Sequence, residues 1–232
     1  MPLQAQQLTR EYNNYLWKSY TGNFRFSSRW GLHTDLQFRW NGAWSQFRQF
    51  IGRSGVEYLV SPQLTVTAGY AFAYNDVHTE NLIFPHSYEH RGWQQIIIQN
   101  AYPHLRIQHR YRLENRWFYK KNILTGETFQ TYANRFRYQL RVVFPVVWQK
   151  HPTRWLLNAS AEGMINFGKN IRYNLFDQTR LNAGAGYQLS NDILLQIMYQ
   201  QIFTLHSNGN EAEFANVILF SVVLRHDFMP AE

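Results

Sequence analysis

The chain contains no cysteine, so disulfides, thiolate metal sites and cysteine nucleophiles are excluded, and the redox character of its compartment stays open. Long hydrophobic runs are also missing. The longest nearly apolar stretch, Val217 to Leu224, is interrupted by Ser221 and falls far short of the roughly 20 residues that a spanning helix needs. Charge is scarce: Asp, Glu, Lys and Arg make up 16% of 232 residues, against a usual value near ~25%. Mean hydropathy is still negative, at −0.46, so uncharged Gln, Asn, Ser and Thr must supply the polarity. Ala, Glu, Lys and Leu do not dominate, which excludes a coiled coil. No Gly-rich phosphate loop, paired-carboxylate motif or nucleotide fingerprint occurs, and no motif implies a cofactor.

What is present points to ordered β structure. Hydrophobic residues make up 45% of the chain and aromatics 17%, ample for a folded protein. A net charge of +8 admits an acidic partner, but only the placement of that charge on the fold decides its use. There is no linker, low-complexity tract or composition break, and residues 1–232 read as a single domain,. Met1 to Gln6 has the look of the tail of an export signal, with Ala5 near a cleavage point; an ordinary N-terminus accounts for the same residues equally well,.

Between turn signals the chain alternates with a period of two, as strands do when their faces meet different surroundings. From Leu105 to Tyr119 one face carries Leu105, Ile107, His109, Tyr111, Leu113, Asn115, Trp117 and Tyr119, and the other carries Arg106, Gln108, Arg110, Arg112, Glu114, Arg116 and Phe118. Phe136, Tyr138, Leu140, Val142 and Phe144 likewise oppose Arg135, Arg137, Gln139 and Arg141, and Leu32, Leu36, Phe38 and Trp40 oppose His33, Asp35, Gln37 and Arg39. Eleven such stretches can be traced, most of them longer than a typical strand,. Short links (Ser61 to Gln63, Pro103-His104, Ser190 to Asp192) alternate with long ones (Asn75 to Arg91, Lys120 to Asn134, Gly168 to Gln178). Aromatics such as Trp40, Tyr74, Trp117, Phe144, Trp155 and Phe167 sit near the stretch ends.

This is the pattern of an all-β, antiparallel transmembrane barrel of outer-membrane type, with short turns on one rim, long loops on the other and lipid as its outer partner. An even strand count, the rule for bacterial single-chain barrels, turns eleven stretches into about twelve strands, with ten acceptable. A soluble barrel would show the same alternation, but its strands need not be this long or this aromatic at their ends.

If the apolar face meets lipid, the arginines point inward. Arg106, Arg110, Arg112, Glu114, Arg116, Arg135, Arg137 and Arg141 then form a lumen network. Two readings follow: a packed ladder of Arg, Glu and Gln that plugs a small barrel, or a narrow pore whose arginines favour a small anionic solute. Nucleic acid is not expected as a partner, because the arginines and aromatics segregate to opposite faces while a base-stacking platform needs both on one surface.

Two further constellations carry less. His206-Ser207-Asn208 at a strand end is similar to the His and Ser pair at the rim of outer-membrane phospholipases and lipid A deacylases, the alternative function here being a membrane-embedded lipid hydrolase. Those enzymes place one residue between His and Ser, whereas here the two are adjacent and on a strand would face opposite ways. His78, His86 and His90, with Glu80 and Glu89, fall in the long link after the fourth clear stretch, and their spacing defines no ligand set,. No metal site is expected.

Three strings resemble an uncharacterised bacterial family, domain of unknown function 2490: Glu89-His90-Arg91-Gly92-Trp93-Gln94-Gln95, His109 to Arg116, and Arg135 to Arg141. The Gly184-Ala185-Gly186-Tyr187 strand and a C-terminal strand ending on Phe228 extend the resemblance over nearly the whole chain. It implies an outer-membrane β-barrel of a Gram-negative envelope and no known activity. The reading is therefore a bacterial outer-membrane barrel, structural or narrowly pore-forming, with a non-enzymatic role expected and the lipid hydrolase as the alternative.

Overall fold

The computed structural model describes residues 9–42, 45–76, 83–148, 151–171, 173–206 and 209–229. Among them the alternating stretches form β1 (Thr9–Arg25), β2 (Trp30–Asn41), β3 (Gln46–Ser61), β4 (Leu64–Asp76), β5 (His86–Ala101), β6 (Arg106–Lys121), β7 (Thr128–Trp148), β8 (His151–Phe167), β9 (Phe176–Gln188), β10 (Ile193–Leu205) and β11 (Glu211–Asp227). Each pairs with its sequence neighbours, and β1 pairs with β11 to close a barrel. Closure removes the free edges that would otherwise leave two rows of backbone donors and acceptors unpaired.

The eleven strands are the eleven alternating stretches, a count between the ten and twelve that the parity rule allows. An odd ring closes because β1 and β11 run parallel, in unbroken register from Thr9↔Glu211 to Arg25↔Asp227. All other neighbours are antiparallel. As a consequence, β1 begins at one rim and β11 ends at the other.

The links sort by rim as the sequence implies. Residues 26–29, 62–63, 102–105 and 189–192 turn at one rim and 122–127 at the other, the rim at which β4 ends and β5 begins and at which β8 ends and β9 begins. The long links are shorter than the sequence reading made them, because alternation carries on into them. Ser87, Glu89 and Arg91 keep the inward parity of Trp93 and Gln95, so β5 starts at His86. At the long-loop rim, Gly126 takes a positive φ of 76°, a conformation that glycine adopts without a Cβ clash. Asn122 Oδ1 there accepts from the N–H groups of Leu124 and Thr125.

Burial runs opposite to that of a water-soluble core. Glu114 and Glu89 are only 1% and 2% exposed, while Leu113, Val56, Leu157 and Ile197 on the outer face are 36–53% exposed. Aromatics collect near both ends of the outer face. Phe26 stacks on Phe228, Trp30 meets Tyr58 and Trp155 meets Tyr187 at the short-turn end. Tyr12, Phe214, Phe203 and Phe176 form a continuous run at the long-loop end.

Candidate functional site

The strand register builds the lumen site. An inward row passes through directly paired positions Gly55, Gly69, Trp93, Glu114, Arg135 and Asn166 on β3 to β8. A Cβ on Gly69 would lie 2.2 Å from the Ser54 carbonyl oxygen and 2.7 Å from the Trp93 ring. The two glycines therefore make the space in which the Trp93 indole lies inside the barrel, 1% exposed. From there, the Arg112 guanidinium sits 4.7 Å from the indole centroid, within the range of a cation–π contact.

Glu114 is the hub of the charges beyond it. Its Oε2 accepts from Arg135 Nε and Nη2 at 2.8 and 2.6 Å, and its Oε1 accepts from Arg137 Nη1 at 2.9 Å. Arg135 reaches on to Asp177 at 2.9 Å. Arg137 Nε donates to Glu162 at 2.9 Å, and Arg110 donates to the same carboxylate oxygen at 2.6 Å. A chain of alternating charge thus runs Asp177, Arg135, Glu114, Arg137, Glu162, Arg110 across β6 to β9. Arg–carboxylate pairs with several parallel donors are among the strongest protein hydrogen bonds, and their planar geometry fixes both partners.

Register alone would set some arginines against each other: Arg112 is paired opposite Arg137, and Arg91 opposite Arg116. Like charges so placed repel. Carboxylates offset the repulsion in both cases. Glu89 takes two bonds from Arg91, at 2.7 and 2.6 Å, and two more from Arg116. Arg137 turns to Glu114 and Glu162, while Arg112 donates twice to Gln95 Oε1 at 2.9 and 2.6 Å. On the facing wall Arg53 pairs with Asp35. Arg39 lies 3.8 Å and Arg180 5.4 Å from the Trp17 ring centroid.

These contacts cover the arginines named from sequence, apart from two at the short-turn end. Arg141 Nε bonds only the Asn158 side-chain oxygen, at 3.1 Å, and Arg106 has no side-chain hydrogen bond or ion pair among the described residues. Three members escaped the sequence reading. The sequence places Glu89, Arg91 and Asp177 in the long links, but they lie inward on β5 and β9. Their signal was the parity shared with Trp93 and Gln95, and, for Asp177, the Arg135 partner that only the register reveals. Trp17 and Trp93 break the rule that aromatics face out, because arginine faces give them partners inside.

The other candidates separate. His86 and His90 belong to β5 and not to a loop; they bond the hydroxyls of Tyr74 and Tyr70 on the neighbouring strand. His78 and Glu80 lie outside the described residues. His206 follows β10, its backbone N–H donating to the Glu211 carbonyl at 2.9 Å, with its Nε2 buried and lacking a hydrogen-bond partner among the described residues. Ser207 and Asn208 also lie outside the described residues.

A closed barrel with an ion-paired interior and an apolar exterior ringed by aromatics has the layout of the membrane-spanning β-barrel class. More narrowly, the chain belongs to DUF2490, a family described as a protein of unknown function, whose model matches residues 14–213. No curated protein matches it. Two mutant forms of the ferric enterobactin receptor PfeA from Pseudomonas aeruginosa are similar solved structures, at 8% identity with TM-scores of 0.36 and 0.37. The match takes in 78% of this chain and 35% of the receptor chain, so the chain spans about a third of the receptor's length.

Proposed function

We propose that this chain is an outer-membrane β-barrel whose charged network closes the middle of the lumen, leaving a narrow, anion-favouring passage at most. One observation carries the reading: the outer face is apolar and exposed between two aromatic zones, while the charges are buried inside. In water, an exposed apolar belt around the whole molecule would drive association. In a bilayer the same belt is at its lowest free energy, and closure satisfies the backbone where no water is available. The arginines outnumber the carboxylates inside, so any ion that does pass meets a positive field. Membrane lipid is the outer partner, and a small anionic solute is the inner one.

The test is insertion and conductance. The protein should need detergent to stay monodisperse, should migrate differently on gels before and after boiling, and in planar bilayers should pass little or no current, with anion preference in whatever current appears. Monodisperse protein without detergent, or a large cation-selective current, overturns the reading.

A further inference from the structure

The charged network does not extend to the short-turn rim, and the cavity left there differs from it in kind. A space of about 310 Å³ is walled by residues from every strand except β2, among them Arg106, Arg141, Arg225, Gln108, Gln196 and Glu57. It borders a rim cavity of about 250 Å³ that shares Asn23, Glu57, Thr65 and Arg225 with it and adds Arg25, Arg29, Asp192 and Asp227; Asp192 there is bonded to His226.

Three guanidinium groups thus share one space with a single carboxylate. Arg106 and Arg225 make no side-chain hydrogen bond or ion pair among the described residues, and Arg141 bonds only to an amide oxygen. Glu57 bonds none of them; its Oε1 lies 3.8 Å from the His33 Nδ1, beyond hydrogen-bond reach, and the cationic charge acting on it is that of Arg25. The charges that bear most on Arg225 and Arg141 are other arginines: Arg106 on the first, Arg225 and Arg110 on the second. Deeper in the lumen the arginines of Glu114, Glu89 and Glu162 are bonded to carboxylates, and Arg39, Arg112 and Arg180 to side-chain amide oxygens, so among the described residues guanidinium groups without a side-chain partner are a feature of the short-turn end.

We propose that the short-turn vestibule is an oxyanion site that takes a multivalent, phosphate-class anion from the aqueous rim. Guanidinium forks match the oxygens of such an anion two at a time. The amides of Gln108 on β6 and Gln196 on β10 offer further donors around the same cavity, and a small oxyanion fits within it. A lipid headgroup is not the source, because the three arginines face the lumen while their strand neighbours Ile107, Val142 and Leu224 face outward. The inference rests on the membrane-barrel reading and deepens it.

The experiment titrates inorganic phosphate into the detergent-folded barrel by calorimetry, with chloride as the monovalent control. Gel mobility before and after boiling is read on every sample. Phosphate should bind in preference to chloride, and Arg225→Gln and Arg106→Gln should each weaken it about 10-fold, the size of one charge-assisted contact. Neither substitution removes a side-chain bond, so both variants should show the folded mobility, and Lys121→Gln at the opposite rim should leave the affinity unchanged. A folded, detergent-requiring barrel that does not bind phosphate, binds chloride equally well, or binds phosphate unaltered in both arginine variants overturns the inference and leaves the membrane reading standing. Phosphate binding that depends on Arg225 in a barrel needing no detergent supports the site and sinks the membrane reading instead.

Discussion

Two levels of one lumen use the same residue type in opposite ways. Around Glu114 each guanidinium is bonded, to a carboxylate, an amide oxygen or an indole face, and the carboxylates are almost fully buried. Near the short-turn rim, Arg106, Arg141 and Arg225 share a cavity with one carboxylate that contacts none of them. The contrast shows that counting inward arginines does not say what they do. Where register delivers a carboxylate diagonally, arginine is a structural cross-link between strands. Where it does not, arginine leaves a positive field in water.

The largest break in this comparison should come at the hub. Glu114→Gln keeps the shape but removes the charge that Arg135 and Arg137 share, leaving buried guanidinium groups short of an anion. Removing one partner of a buried pair costs roughly 3 to 5 kcal/mol, less where lumen water screens it. The temperature at which the folded gel band disappears should fall well below that of the wild type. An unchanged melting temperature would show that the network does not cross-link the strands.

A smaller effect should follow from packing at the same level. Gly69→Ala places a methyl group against the Ser54 carbonyl and the Trp93 ring, an overpacking worth about 1 to 3 kcal/mol. Gly163→Ala is the matched control, since a Cβ there meets nothing within 4 Å. Measured side by side, the first should melt lower than the second; equal melting would mean that Trp93 can move aside and that the middle of the lumen is not sterically filled.

Much of this was legible from period-two alternation. Arg110, Arg112, Glu114 and Arg116 on one strand and Arg135, Arg137 and Arg141 on the next can be assigned to one face without coordinates, because side-chain direction in a strand depends only on parity. Which of them bond is a matter of register, and parity is silent on it. That Glu114 faces Arg135 while Arg137 faces Arg112 depends on where the β6–β7 turn falls. Glu89 and Arg91 were lost for a related reason: a polar stretch beyond the apolar belt looks like loop, although the strand goes on through it. The odd strand number was hidden as well, since it is fixed by how β1 meets β11 and not by any local pattern.

The smallest predicted effect separates the two levels most cleanly. Glu57→Gln also removes an inward carboxylate, but one that lies 3.8 Å from the His33 ring nitrogen, beyond hydrogen-bond reach, and that no arginine bonds among the described residues. Its loss should therefore shift the melting temperature by less than about 1 kcal/mol would, in the range of substitutions away from a buried network. What it should change is the field. With the carboxylate gone, Arg106, Arg141 and Arg225 have the vestibule to themselves. Two unit charges about 8 Å apart in water interact by about 0.5 kcal/mol, so the affinity for singly to doubly charged phosphate should rise roughly two- to six-fold and the rise should shrink as salt is added. A Glu57→Gln barrel that melts as low as Glu114→Gln would make Glu57 part of the cross-linking network and erase the distinction between the two levels. One that melts normally yet binds phosphate no better would show that Glu57 lies too far from the three arginines to set their field.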